Sequence, residues 1–257
     1  MRTNHLLAVA LATALLLSCQ APPGRESTSS RSSTNEEVFA LEQRIESTLT
    51  TLEQQGELEA ALEDYQAVEQ DLLALGLESG DPAFAEQQRV LAYSLLRQGN
   101  MLRQLGRTEE AKLLSEREIE AARASGDQIA LARTLMSYGS TAIATGDLEG
   151  GLELLEEART EFEGGDSYDH KQGLGWYWIL QADLAAAGLV EAAPEEVIAA
   201  ADKALEILMP IENWPGVARA YGVRAQALEK LGRNEDALAD WESQLHYEEM
   251  TGAGNPG

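Results

Sequence analysis

The 257-residue chain contains one cysteine, Cys19, three histidines and only 5% aromatic residues. A single cysteine excludes an internal disulfide framework and a zinc ribbon. Three histidines, one of them His5, leave little material for metal or general-base chemistry. Basic residues are also scarce, with 19 Lys and Arg against 44 Asp and Glu and a formal charge of −25. That balance excludes nucleic acid as a partner, because a phosphate backbone demands dense Lys and Arg. No Gly-Lys-Ser/Thr occurs, so there is no P-loop, and Gly173-Leu174-Gly175 lacks the third glycine and the preceding strand of a dinucleotide site. Nothing reads G-x-S-x-G. The sequence therefore offers no catalytic residue, no metal or cofactor site and no small-molecule substrate, and the chain is read as a non-enzyme. The 44% hydrophobic content is ordinary for a folded protein.

The apolar run Leu6–Leu17 follows Arg2 and ends in Leu16-Leu17-Ser18-Cys19. Twelve helical residues rise about 18 Å, short of the ~30 Å hydrocarbon core, so the run reads as a secretory signal rather than a span. Its end resembles a bacterial lipoprotein lipobox. The resemblance implies cleavage between Ser18 and Cys19, with diacylglyceryl and acyl chains (palmitate among them) on Cys19. Two or three chains, at ~0.8 kcal/mol per buried methylene, anchor a protein essentially permanently. Gln20 is not the Asp that retains such lipoproteins at the inner membrane, which implies outer-membrane delivery in a two-membrane host. The alternatives are a plain signal peptide with a chance cysteine, or an uncleaved anchor. Residues 1–18 are thus a signal peptide. Residues 19–35, with Ala21–Asn35 rich in Ser, Thr and Pro, are a flexible tether.

From Glu36 onward Leu and Ala recur at helical spacing, with no Val/Ile-rich alternation of a strand. Self-similarity is plain. Gly56-Glu57-Leu58-Glu59-Ala60-Ala61, Gly106-Arg107-Thr108-Glu109-Glu110-Ala111, Gly146-Asp147-Leu148-Glu149-Gly150-Gly151 and Gly232-Arg233-Asn234-Glu235-Asp236-Ala237 each place a small residue five positions after a glycine. Another small residue, Gly99, Gly139 or Ala225, sits seven before it. The pattern is an αα-hairpin: glycine ends one helix in the left-handed conformation, acids open the next against its dipole, and small residues let the two approach. It resembles the tetratricopeptide repeat (TPR), over roughly 36–250, with 251–257 a disordered tail.

Spacing departs from the common repeat. Gly106, Gly146, Gly188 and Gly232 are 40 to 44 residues apart, longer than the usual 34 of that family. A second punctuation, Gly80-Asp81, Gly126-Asp127 and Gly165-Asp166, is expected to stop one hairpin and cap the next helix. Five hairpins follow, near 36–55/57–76, 82–105/107–125, 128–145/147–164, 168–187/195–210 and 215–231/233–249, with 190–194 interrupting the fourth turn. The expected fold is an all-α, right-handed α-solenoid of about five TPR-like hairpins. A coiled coil is the structural alternative, although no heptad survives the glycines.

In the TPR family the first helix of each pair lines a concave groove. By that assignment the second helices are acidic: 57–76 has six acids and no base, and 233–249 has six acids and one Arg. The first helices carry Arg89, Arg97 and Arg103 against Glu86, then Arg133 alone, then Arg219, Arg224 and Lys230 against Glu229. This implies a mildly basic peptide groove with Asn100, Arg103, Arg133 and Arg219 facing it, suited to an acidic or C-terminal peptide segment. The competing reading is that these arginines only pair with neighbouring acids. The carboxylate clamp of chaperone-binding relatives is not reproduced, since Leu96 and Ser137 stand where Lys and Asn belong.

Trp176 and Trp178 lie two apart, so both cannot share one core face. Trp178 is the candidate contact anchor, Trp241 a core residue, and Trp214 a staple at the last hairpin's entrance. Asp166, Asp169 and His170 lack metal-ligand spacing and read as a solvated loop. The resemblances together imply a lipid-anchored adaptor of the bacterial envelope. It would bind other envelope proteins through a solenoid groove and the membrane through its anchor. A self-associating structural spacer and an envelope hydrolase with an unrecognised site are the alternatives.

Overall fold

The structure is a computed structural model describing residues 33–250. The signal peptide 1–18, its cleavage site Ser18-Cys19, the tether up to residue 32 and the tail 251–257 lie outside the described residues. Among the described residues there is no strand. Helix α1 (Ser33–Thr48) runs on through a π-helical turn, Leu49–Glu53, and is followed by α2 (Leu58–Ala74), α3 (Phe84–Gln104), α4 (Thr108–Ser125) and α5 (Gln128–Ala144). Then come α6 (Leu148–Glu163), α7 (Tyr168–Ala186), α8 (Pro194–Leu208), α9 (Trp214–Lys230) and α10 (Asn234–Met250). The paired ranges follow the repeat spacing. Helix α1 starts three residues before the boundary expected at residue 36. No described helix is long and apolar enough to cross a membrane.

The glycine that closes each first helix has positive φ, from 72° to 99° at Gly56, Gly106, Gly146, Gly188 and Gly232. The left-handed residue turns the chain back while freed carbonyls near the helix end accept loop amides, as when Leu102 O accepts from Arg107 N at 2.7 Å. The small residues hold helices close. A Cβ at Gly139 would stand 2.8 Å from Gly151 O, and one at Gly151 would stand 2.7 Å from Gly139 O, so α5 and α6 touch backbone to backbone. In the fourth turn Pro194 is the first residue of α8, where its missing N–H costs nothing.

The second punctuation works as expected at one junction of three. Gly126 takes φ 67°, and Asp127 Oδ1 accepts from Ile129 N (2.9 Å) and Ala130 N (3.1 Å), capping α5. At the first junction the left-handed stop is Gly76, and Asp81 accepts from Glu78 N within the loop instead of capping α3. At the third, α7 begins one residue too late for Asp166. Ser167 is the cap there, its Oγ accepting from His170 N.

The described residues form two compact units, 33–161 and 162–250. In the N-terminal unit α3 packs against both α1 and α5, with α2 against α1 and α3 and α4 against α3 and α5. In the C-terminal unit α8 packs on α7 and α9, and α10 on α9. Ala182, Val197, Ala201, Val223 and Ala227 form the α7–α8–α9 core, and small side chains allow the three helices to interlock there.

Candidate peptide-binding face

Helix α3 is enclosed by α1, α2, α4 and α5, so its polar residues are buried together with its Leu and Val. Arg97 is 0% exposed. The π-helical turn at the end of α1 brings Glu53 under it, and Glu53 takes both Arg97 Nη2 and, at 3.1 Å, Arg97 Nε. Tyr65 Oη donates to the same carboxylate at 2.8 Å. Burial pushes the Tyr65 phenol above its ordinary range, against the opposing charge of Arg97, so it stays neutral and donates. A buried ion pair that also takes the Tyr65 hydroxyl ties three elements into one arrangement.

Nearby on the first-helix layer, burial raises the Glu46 carboxyl, opposed by a hydrogen bond from Tyr93 and by the charges of Arg97 and Arg133. Arg133 is half-buried on α5. One step along α3, Arg103 donates through Nη1 to Thr141 Oγ1 at 2.8 Å and through Nη2 to Ser137 Oγ at 3.1 Å. It also donates to Asn100 Oδ1, which fixes the orientation of that carboxamide. Asn100 is 2% exposed, and its Nδ2 has no acceptor among the described residues. Glu118 of α4 is buried beside them. Desolvation pushes its carboxyl up to about 8, against the pull of Arg103 and a hydrogen bond from Thr134. At neutral pH it is largely uncharged.

The structure thus brings Asn100 and Arg103 together and places Arg133 on the same layer of first helices. The other two groove candidates have partners in the C-terminal unit. Arg219 forms a two-point ion pair with Asp183 of α7, at 2.6 and 3.2 Å, and burial raises the Asp183 carboxyl while Arg219 opposes it. Trp178 is half-buried, edge-on to Tyr177 at 5.2 Å, with Lys203 Nζ of α8 3.9 Å from its ring centroid. Trp176 is buried.

Trp214 stacks on Tyr247 at 5.3 Å, and Tyr247 on Tyr221 at 5.8 Å, so the entrance of the last hairpin is pinned by a three-ring ladder. Trp241, expected in the core, is only half-buried, because no described helix comes after α10 to cover it. His170 Nδ1 lies 2.7 Å from Ser167 Oγ, and no cluster of metal-ligating residues gathers among the described residues. Sequence reasoning missed Glu53, Tyr65, Glu118 and Thr141. The available signal was Arg97, Gln98 and Asn100 within the largely apolar run from Val90 to Leu102.

No family model matches the sequence, and no curated protein matches it. Among solved structures the chain is similar to BtubC (BKLC) from P. vanneervenii, with a TM-score of 0.58 and 11% identity, covering 88% of this chain and 95% of that one. It is also similar to a Podosopora anserina putative kinesin light chain with nearly identical TPR-like repeats, with a TM-score of 0.55 and 16% identity, covering 84% and 98%. At such identities the likeness is one of fold. The chain has an all-α, TPR-like fold of helical hairpins.

Proposed function

We propose that the chain is a non-enzymatic protein-interaction scaffold. Its N-terminal unit takes a peptide carboxylate, from an acidic side chain or a chain end, on the layer formed by α1, α3 and α5. The observation that carries this reading is Asn100, whose buried Nδ2 lacks an acceptor among the described residues while its Oδ1 is held by Arg103. A donor kept from water without an acceptor costs about 1–3 kcal/mol, and an incoming carboxylate oxygen relieves that cost. Arg133 supplies a second cationic group on the same layer, and charge-assisted bonds of this kind are about twice as strong as neutral ones. The TPR-like fold supports the reading by analogy alone.

The lipobox-like Leu16-Leu17-Ser18-Cys19 supports a companion proposal, that acyl chains on Cys19 hold the scaffold on a bacterial membrane, the outer one where there are two. Its partners are then envelope proteins.

Crosslinking capture from envelope extract tests the face. The chain is compared with an Arg103→Glu/Arg133→Glu variant shown by circular dichroism to be folded. A partner captured by the parent and lost by the variant is the expected result. Equal capture by both assigns the arginines to structure and overturns the face, and no capture by either overturns the scaffold. For the anchor, Cys19→Ser is expected to move the protein from the detergent phase to the aqueous phase. Retention in the detergent phase contradicts lipidation.

A further inference from the structure

Counted from the loop glycine of its hairpin, α10 repeats the register of α2. Ala61, Tyr65, Glu69 and Leu72 come after Gly56 at the same distances as Ala237, Trp241, Leu245 and Glu248 after Gly232. On α2 this register is covered by the first helix of the next hairpin. Ser94 Oγ of α3 donates to Tyr65 O at 2.9 Å, Gln98 Nε2 to Glu69 Oε2 at 2.7 Å, and Gln87 Nε2 to Leu72 O at 2.6 Å. On α10 no described helix takes that place. Leu238 is 59% and Leu245 61% exposed, and the half-buried Trp241 is held in place by its Nε1 bond to Glu229 Oε1 at 3.0 Å. This last described helix carries a stripe of Leu238, Trp241 and Leu245 on its uncovered side.

An acidic ridge runs beside the stripe. Glu235, Glu242 and Glu249 are all exposed, and their seven-residue spacing keeps them on one side of the helix. A second copy of this chain would bring more negative charge to that ridge. Pairing α10 with α10 sets ridge against ridge, and α1 offers Glu36, Glu37, Glu42 and Glu46 against Arg44. The complementary surface is apolar with a basic flank. We infer that the outer face of α10 docks an amphipathic helix of a partner protein. Leucine-like side chains of that helix would cover Leu238, Trp241 and Leu245, while its Lys or Arg face Glu235, Glu242 and Glu249. The helix sits where the next hairpin's first helix would sit, and α10, at 17 residues, offers it about 25 Å of length.

Fluorescence anisotropy of a labelled 18-residue Leu/Lys amphipathic peptide against the full chain tests this inference. Leu238→Ser/Leu245→Ser keeps every charge and alters only exposed side chains, and it is expected to weaken binding at least tenfold. Glu235→Lys/Glu242→Lys/Glu249→Lys is expected to abolish binding of that peptide and to admit a Leu/Glu peptide of the same pattern. A matched reversal elsewhere, Glu57→Lys/Glu59→Lys/Glu63→Lys on α2 and its approach, is expected to change affinity less than threefold. The inference is overturned if the serine pair binds like the parent, because net charge alone is then at work. It is overturned equally if the α2 control loses as much as the α10 reversal. A dimer in sedimentation that disappears with Leu238→Ser/Leu245→Ser would assign the face to a second copy instead.

Discussion

The two units place different chemistry at the centre of their hairpin junctions. In the N-terminal unit the junction of α1, α2 and α3 is built around Arg97, Glu53 and Tyr65, a buried ion pair with an added phenol. In the C-terminal unit the junction of α7, α8 and α9 is centred on Ala182, Val197, Ala201, Val223 and Ala227, with the ion pairs Arg219–Asp183 and Arg224–Asp202 beside that core. Apolar packing is non-directional and tolerates adjustment. A buried pair tolerates almost none, since either partner left alone is a desolvated charge. The comparison teaches where recognition chemistry is available. The polar junction continues along α3 into Arg103 and an Asn100 amide with hydrogen-bonding capacity to spare, whereas Arg219 of the C-terminal unit is committed to Asp183.

The largest effect expected from breaking this contrast is at Arg97. Arg97→Ala should cost about 3–5 kcal/mol by chemical denaturation, because Glu53 is stranded in the interior. Arg97→Met with Glu53→Leu should recover much of that loss, since a buried pair replaced by apolar groups of similar volume is often close to neutral. All four tryptophans, Trp176, Trp178, Trp214 and Trp241, lie in the C-terminal unit, so circular dichroism is the signal to follow for Arg97 and tryptophan fluorescence for the other side of the comparison. There Val223→Ala should cost about 2 kcal/mol, the ordinary loss for trimming a core side chain. Equal costs at Arg97 and Val223 would erase the distinction drawn here.

Glu118 sharpens the contrast through pH. Its folded-state pKa is pushed up to about 8, from the ordinary 4.5, by burial first of all. Between those values the unfolded carboxyl is ionised while the folded one keeps its proton, so the folded state loses stability as pH rises. The slope is about 1.4 kcal/mol per pH unit from this one group, and it flattens above about 8. Glu118→Gln keeps the shape and removes the titration, so the difference between the two proteins should shrink as pH falls towards 4.5. An unchanged difference across the window would mean that Glu118 is ionised in the fold. The smallest expected effect is at the α5 cap, where Asp127→Ala should cost about 1 kcal/mol in thermal unfolding.

Much of the hairpin architecture was legible because its cause is local. The left-handed glycines and the close approach of Gly139 and Gly151 are properties of short segments, and the sequence repeats them. Caps were less legible: Gly80-Asp81 and Gly165-Asp166 look like Gly126-Asp127, but the start of the next helix decides which side chain reaches its amides. Trp241 was placed in the core because it stands at the large-residue position of the second helix; the equivalent Tyr65 and Leu155 are buried, but Trp241 is left half-buried because no described helix packs over α10. Of the candidate face, Asn100 and Arg103 were readable from their first-helix positions. Their partners were not. Glu118 sits on a second helix among many surface glutamates, and Glu53 reaches Arg97 only through a π-helical turn that no residue pattern announced.

The most direct test of the central claim is a calorimetric titration with one acidic peptide in two forms, free carboxylate and amide, against the parent and Asn100→Asp. The peptide is taken from the C-terminus of a partner captured by crosslinking. Asn100→Asp keeps the side chain's size and puts a carboxylate beside Arg103 in place of the free donor, and circular dichroism checks that the variant is folded. The account predicts binding of the free-carboxylate peptide to the parent, at least tenfold weaker binding of the amide, and loss of both with Asn100→Asp. Equal affinity of parent and Asn100→Asp for the free-carboxylate peptide would contradict it.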